Sequence, residues 1–329
     1  MDRRRRRPAK ELAALGFVLA GLAGVSALAA VGDAPIRGML WIDRRADPAR
    51  ALGSTPSECL RLPADPVQAA KVEIGRAAFR TPVLLGGQAG RAGISCETCH
   101  RDGRDNPDFL FPGVSGAPGT ADVTSSLFST HRGNGVDDPK PIPDLSGPKA
   151  KLKVSQVAAE AKLEPFIHGL ITEEFDGPEP TAAVLEGLAA YVRALDPAAC
   201  PAKARRPIDA ALLMGDVRRA LNAARSSAAA GDAPTAVLMV ASARSRLGMI
   251  DERFAGPGLA KPRADLRAAD RRLDDLQAAL REGRPDAGRG IAAWLAAAPR
   301  LQRELAAREK ASLFDPARLA RAARRRLPG

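Results

Sequence analysis

The chain has three histidines, four cysteines, two tryptophans and one tyrosine in 329 residues. Aromatic residues make up only 4% of it, while alanine and arginine are abundant, a balance that leans toward helix. A closed zinc site takes four ligands, usually as two separated pairs. Apart from Cys96, Cys99 and His100, only Cys59, Cys200, His131 and His168 remain, none paired at short spacing. Methionine is missing between His100 and Cys200: Met39 precedes that stretch, and Met214, Met239 and Met249 follow it. No segment repeats at a fixed period.

Charge is unevenly spread. The net is +12, with six basic residues and one acidic in 1–10, 18 and 23 in 11–202, and 26 and 14 in 203–329. The middle is acidic and both ends are basic. Arg3 to Arg7 and Lys10 form a positive head, and Ala13 to Val31 follow without a charge, with Ala27-Leu28-Ala29 at a plausible cleavage point. Residues 1–31 therefore read as a signal peptide or an N-terminal membrane anchor. Either way the rest is expected in the periplasm or otherwise exported, the positive end staying in the cytoplasm.

Residues 32–56, with Pro35, Pro48 and Pro56, read as a linker. A helix is expected from Asp65-Pro66 to about Arg80, where Asp caps and Pro suits the first turn. A second is expected over about Pro180 to Asp196, with Val184, Leu185, Leu188, Val192 and Leu195 at helical spacing. Residues 81–165 are rich in Gly, Pro and Asp, and a long irregular segment in a compact domain needs something to wrap. Past Pro201, amphipathic helices are expected around Ile208–Leu221, from Asp232-Ala233-Pro234, over Arg263–Arg281, over Pro285–Glu309 with Trp294 in the core, and after Asp315-Pro316. Short loops between helices of similar length predict an up-down bundle.

The run Cys96-Glu97-Thr98-Cys99-His100 is the attachment pattern of c-type haem. Each thiol adds to one porphyrin vinyl group, and the adjacent histidine becomes the proximal iron ligand. A thioredoxin-like redox pair is the rival reading, but the segment before Cys96 is Gly-rich with no βαβ context. Cys59 and Cys200 lie just outside the two helices that bracket the run. In an exported protein an even cysteine count favours pairing them as a disulfide, with two unpaired thiols as the alternative.

Residues 64–198 resemble one haem domain of the bacterial di-haem cytochrome c peroxidases and the related methylamine-utilisation enzymes. The resemblance rests on Gly75-Arg76-Ala77-Ala78-Phe79, on Ile94-Ser95 before the run, on Pro165-Phe166-Ile167-His168-Gly169, and on Leu188-Ala189-Ala190-Tyr191-Val192-Arg193-Ala194-Leu195. It implies that the first and last helices of this region cross near Gly75. Those enzymes carry two haems on two such runs. This chain has one run, and Gly169 follows His168 where the family has an Asp.

For the sixth iron position the candidates are His131, then His168, or no side chain. Phe109, Phe111, Leu127 and Phe128 are candidates for an apolar haem wall, and Arg132, Lys151 and Lys153 for propionate partners. In the basic C-terminal part, Arg244, Arg246, Arg271, Arg272, Arg321 and Arg324 to Arg326 build the excess. A redox partner protein or an anionic membrane surface suits it; nucleic acid does not suit an exported chain. No catalytic constellation is visible.

The expectation is an all-α exported protein: a cytochrome c-like haem domain at 57–202 and a basic helical bundle at 203–329. Its expected work is one-electron transfer through one covalent haem c. Peroxide reduction and a haem-based sensor or assembly subunit are the alternatives.

Overall fold

The computed structural model describes residues 36–131, 133–147, 152–202 and 204–326. The signal or anchor segment, Arg132 and Lys151 lie outside them. The protein is all-α with four very short strands. In chain order come α1 (Pro48–Gly53), β1 (Ser54–Pro56), α2 (Pro66–Phe79), α3 (Pro82–Leu85), α4 (Gly87–Ala92) and α5 (Cys96–Cys99). Then follow β2 (Thr120–Ala121), β3 (Lys140–Pro141), α6 (Leu163–Gly169), α7 (Ala182–Ala194) and β4 (Arg205–Pro207). The last five are α8 (Ala210–Ala229), α9 (Ala233–Arg253), α10 (Ala260–Arg281), α11 (Ala287–Ala306) and α12 (Pro316–Arg326).

One local device starts many of these helices. Asp47, Asp65, Asp209, Asp232 and Asp315 each accept a backbone N–H from the first turn, at 2.6 to 3.0 Å. In four of the five, proline occupies one of the first two helical positions, where its missing N–H costs nothing. Each such cap contributes about 1 kcal/mol.

Helices α2 and α7 cross at a pair of glycines. A Cβ on Gly75 would run into the Gly187 carbonyl, and one on Gly187 would sit 2.9 Å from Gly75 N. Only bare backbone allows this approach. Val72, Phe79, Val184, Leu188 and Tyr191 close the crossing and are all buried. Between the two helices the chain runs through α3 to α6 and long irregular stretches. The β2–β3 pair is a two-residue ladder within them.

Helices α8 to α11 are 20 to 22 residues long. Each packs on the next in sequence, and α11 returns to α8, closing a four-helix ring. Leu213, Val217, Leu221, Met239, Val240, Leu247, Leu273 and Ile291 fill its centre. Trp294 is buried, its indole N–H donating to the Ala269 carbonyl at 3.1 Å.

Two features differ from the sequence reading. Residues 36–56, within the expected linker, are folded: β1 pairs antiparallel with β4, Ser54 opposite Pro207. Ile36, Met39 and Leu52 pack with Leu313, Leu319 and Ala323 in a small second core, which joins α1 to α12. The main apolar core is also continuous from α2 and α7 into the bundle. Ser242 of α9 donates to the Ala77 carbonyl of α2 at 2.9 Å. No helix among the described residues is long and apolar enough to cross a membrane.

Candidate cofactor site around Cys96, Cys99 and His100

Ile94 is buried and anchors the approach to α5. Ser95 then caps the turn, and its backbone N–H donates to Thr98 Oγ1 at 3.0 Å, completing a capping box. His100 N–H bonds the Cys96 carbonyl at 2.8 Å, and Asn106 Nδ2 donates to the Thr98 carbonyl at 2.8 Å. The turn is thus pinned at both ends.

Positions 96, 99 and 100 are spaced i, i+3, i+4 and share one face of this turn. Cys96 and Cys99 are free thiols, half-buried, and not bonded to each other. Burial pushes both thiols up to about 12, which works against the thiolate that a redox or nucleophilic cysteine uses. His100 Nδ1 lies 3.0 Å from the Pro143 carbonyl oxygen. A carbonyl can only accept, so Nδ1 carries the proton and Nε2 keeps its lone pair. Burial also lowers the His100 pKa to about 4, which keeps the ring neutral. The Phe79 ring centre is 6.4 Å from that of His100.

The opposite face of the turn carries charge. Arg80 is buried and forms ion pairs with Glu58 at 2.9 Å, Asp102 at 2.7 Å and Glu97 at 3.2 Å. Arg76 also pairs with Glu58, and Arg206 reaches Asp102 at 3.1 Å. Tyr191 donates to Glu58 at 2.8 Å and Thr55 to Asp102 at 2.7 Å. Burial works against ionising Asp102, but Arg80, Arg206 and the Thr55 hydrogen bond hold it down at about 2. At Glu97 burial outweighs Arg80 and lifts the carboxyl to about 7. Asp102 sits in the left-handed region at φ 49°. This conformation costs a non-glycine residue roughly 1 kcal/mol, and the Arg80, Arg206 and Thr55 donors hold it in place. None of this network is visible as a motif, because its members are spread from residue 55 to residue 206.

Cys59 and Cys200 form the expected disulfide. His131 is exposed, and its Nδ1 lies 3.0 Å from Asp176 Oδ1. His168 uses Nε2 instead, 2.9 Å from both oxygens of Glu179. Of the two, His131 keeps the Nε2-free arrangement seen at His100. Phe109 and Phe128 are buried, Phe111 stacks on Trp41 at 4.5 Å, and Leu127 is exposed. Phe111, Phe128 and Phe175 continue as an aromatic row at 5.0 and 5.6 Å. Lys153 lies over the Phe166 ring at 5.6 Å. Of the arginines counted with the surface excess, Arg246 is buried near Asp216, and Arg244 is half-buried and pairs with Asp270 and Asp274. Arg271, Arg272, Arg321 and Arg324 are exposed.

Among the described residues no group of three or more His, Cys, Asp or Glu is arranged to hold a metal ion alone. Comparison with protein-family models, with characterised proteins and with solved structures gave no match to this chain.

Proposed function

We propose that this protein is an exported c-type cytochrome with one haem, bonded through Cys96 and Cys99 and ligated by His100, and that it transfers single electrons. The observation that carries the reading is the shared face of α5. It presents two unpaired thiols beside an imidazole whose Nδ1 is held by Pro143, in a chain whose other two cysteines are joined. This donor set fits a covalent haem: thiols for the two vinyl groups and a neutral Nε2 for iron. The bound haem would supply a reversible ferric–ferrous couple.

The protein's own residues do the rest. The Pro143 carbonyl fixes the ring plane and tautomer of His100 and raises its basicity, as outer partners of ligating histidines do. The buried pairing around Arg80 locks the back of the turn, so the thiols and the imidazole keep one orientation. His131, whose Nε2 is left free because Asp176 takes Nδ1, would be the favoured second protein ligand to the iron. Export is consistent with the disulfide. The apolar residues Leu319 and Ala323 of α12 are buried in the second core. Contact with anionic lipid or a redox partner would therefore use exposed arginines such as Arg321 and Arg324.

The test is direct. Protein produced with haem-attachment machinery should hold haem through denaturing electrophoresis, and Cys96→Ala/Cys99→Ala should hold none. Native protein without covalent haem would overturn the reading. The ferric spectrum should be low-spin, and that signal should be lost in His131→Ala and kept in His168→Ala. A high-spin spectrum with rapid change on peroxide would transfer the case to peroxide reduction.

A further inference from the structure

Behind α5, on the side away from Cys96, Cys99 and His100, lies a cavity of about 320 Å³. Its walls come from Glu97 and Thr98 within the Cys96–His100 run and Arg101 just after it, from Trp41 and Leu52 near the N-terminal end, and from α8 and α9. Seven arginines and four carboxylates line it. The carboxylates are already engaged. Asp102 is held by Arg80 and Arg206, Glu97 by Arg80, Asp216 by Arg219 and Arg246, and Glu252 by Arg37.

Two guanidinium groups are left with no salt bridge among the described residues. Arg101 donates to the Ala51 carbonyl, and Arg253 donates to those of Leu52, at 2.6 Å, and Leu313. Arg253 is 3% exposed. Other donors lining the cavity also lack a partner: Arg246 Nη2, Arg206 Nε and Trp41 Nε1 are buried without a hydrogen bond. Arg246 is 5% exposed. Buried charge without a counter-charge, and buried N–H groups without acceptors, are both strongly disfavoured. One acceptor, Glu97 Oε2, is also left without a hydrogen bond, so donors outnumber it and the unmet demand is mainly for acceptors and negative charge.

The remaining wall is apolar, with Ile36, Ile42, Ile208, Leu212 and Leu213. Inorganic phosphate would meet the charge and leave this surface uncovered. We infer that the cavity between α5 and the bundle is a binding site for a small organic acid, its carboxylate on the arginines and its apolar body on the aliphatic wall. Arg37, with more than half of its side chain exposed, stands at the rim.

Calorimetric titration of the purified full-length protein with hexanoate, benzoate and inorganic phosphate tests this. Hexanoate and benzoate should bind at one site, and phosphate should not. Arg246→Gln and Arg253→Gln should weaken binding at least tenfold, the scale of a charge-assisted hydrogen bond. Leu212→Phe grows into the cavity without changing charge. It should abolish binding while leaving the melting temperature near native, which separates a filled site from a broken fold. Absence of saturable binding by either acid would overturn the inference. So would unchanged binding in Leu212→Phe, or binding of phosphate as tight as that of the acids.

Discussion

The two halves of this protein are held together by different physics. The bundle of α8 to α11 is a ring of long helices whose centre is aliphatic, and its stability comes from apolar burial at every turn. The region from residue 57 to residue 200 has two longer helices, α2 and α7, of 14 and 13 residues, and just over one hundred residues between them, whose described part is short helices and turns. It relies on a glycine crossing, a disulfide and a buried set of ion pairs. A ring of regular helices specifies itself, whereas a region of turns needs cross-links and a group to wrap. The Cys96–His100 run lies in the region of turns, the one that the proposed haem would stabilise most.

The contrast can be broken at its cross-links. The largest effect is expected from Cys59→Ala/Cys200→Ala, which frees a loop spanning a sequence separation of 141 residues. The chain-entropy model gives about 4–5 kcal/mol, and urea unfolding should show it. The two tryptophans make the comparison readable, since Trp41 stacks on Phe111 of the first region and Trp294 lies in the bundle. Because the apolar core is shared, both should report one transition, and separate midpoints would show that the halves unfold independently.

Next comes Arg80→Met, which leaves Glu58, Asp102 and Glu97 without their common partner. Breaking a buried pair costs about 3–5 kcal/mol, measured again as a shift in urea midpoint. Acid should give a smaller loss. Asp102 is held at about 2 against an ordinary value of 3.8, so its folded form favours ionisation. Its contribution of about 2 kcal/mol is complete above pH 4 and is lost as the pH falls through 2. Asp102→Asn should lower stability at pH 6 and flatten this part of the acid profile. The smallest effect belongs to the bundle. Trp294→Phe removes one indole bond to the Ala269 carbonyl and should cost about 1–2 kcal/mol.

What was legible in the sequence was local. Asp65-Pro66 and Asp232-Ala233-Pro234 mark helix starts because a cap is chosen by residues within one turn, and both caps are present. Helical spacing located α8 to α11 for the same reason and bounded α10 and α11 to within about three residues, but α8 runs on from Leu221 to Ala229. The disulfide was legible because only two cysteines remained outside the motif. The β1–β4 ladder was not, since Ser-Thr-Pro against Arg-Arg-Pro is too short to show an alternating pattern. The partner of His100 was not legible either. Pro143 lies 43 residues on, in a stretch with several prolines, and only the fold selects its carbonyl. Nor does a window of sequence distinguish Arg246, buried against Asp216, from Arg271 on the surface.

The Cys59–Cys200 bond also sets an order of events. The chain is made from its N-terminus, so Cys59 meets Cys96 and Cys99 long before Cys200 exists. Closing a loop of about 40 residues is entropically cheaper than closing the native one, by about 1 kcal/mol. The wrong partners therefore arrive first and are the easier to reach. Under the proposed function, thioether formation at Cys96 and Cys99 would remove both competitors and leave the native bond without a rival. Cofactor attachment would then also act as the proofreading step for the disulfide. Protein made without it should accumulate Cys59 cross-linked to the motif.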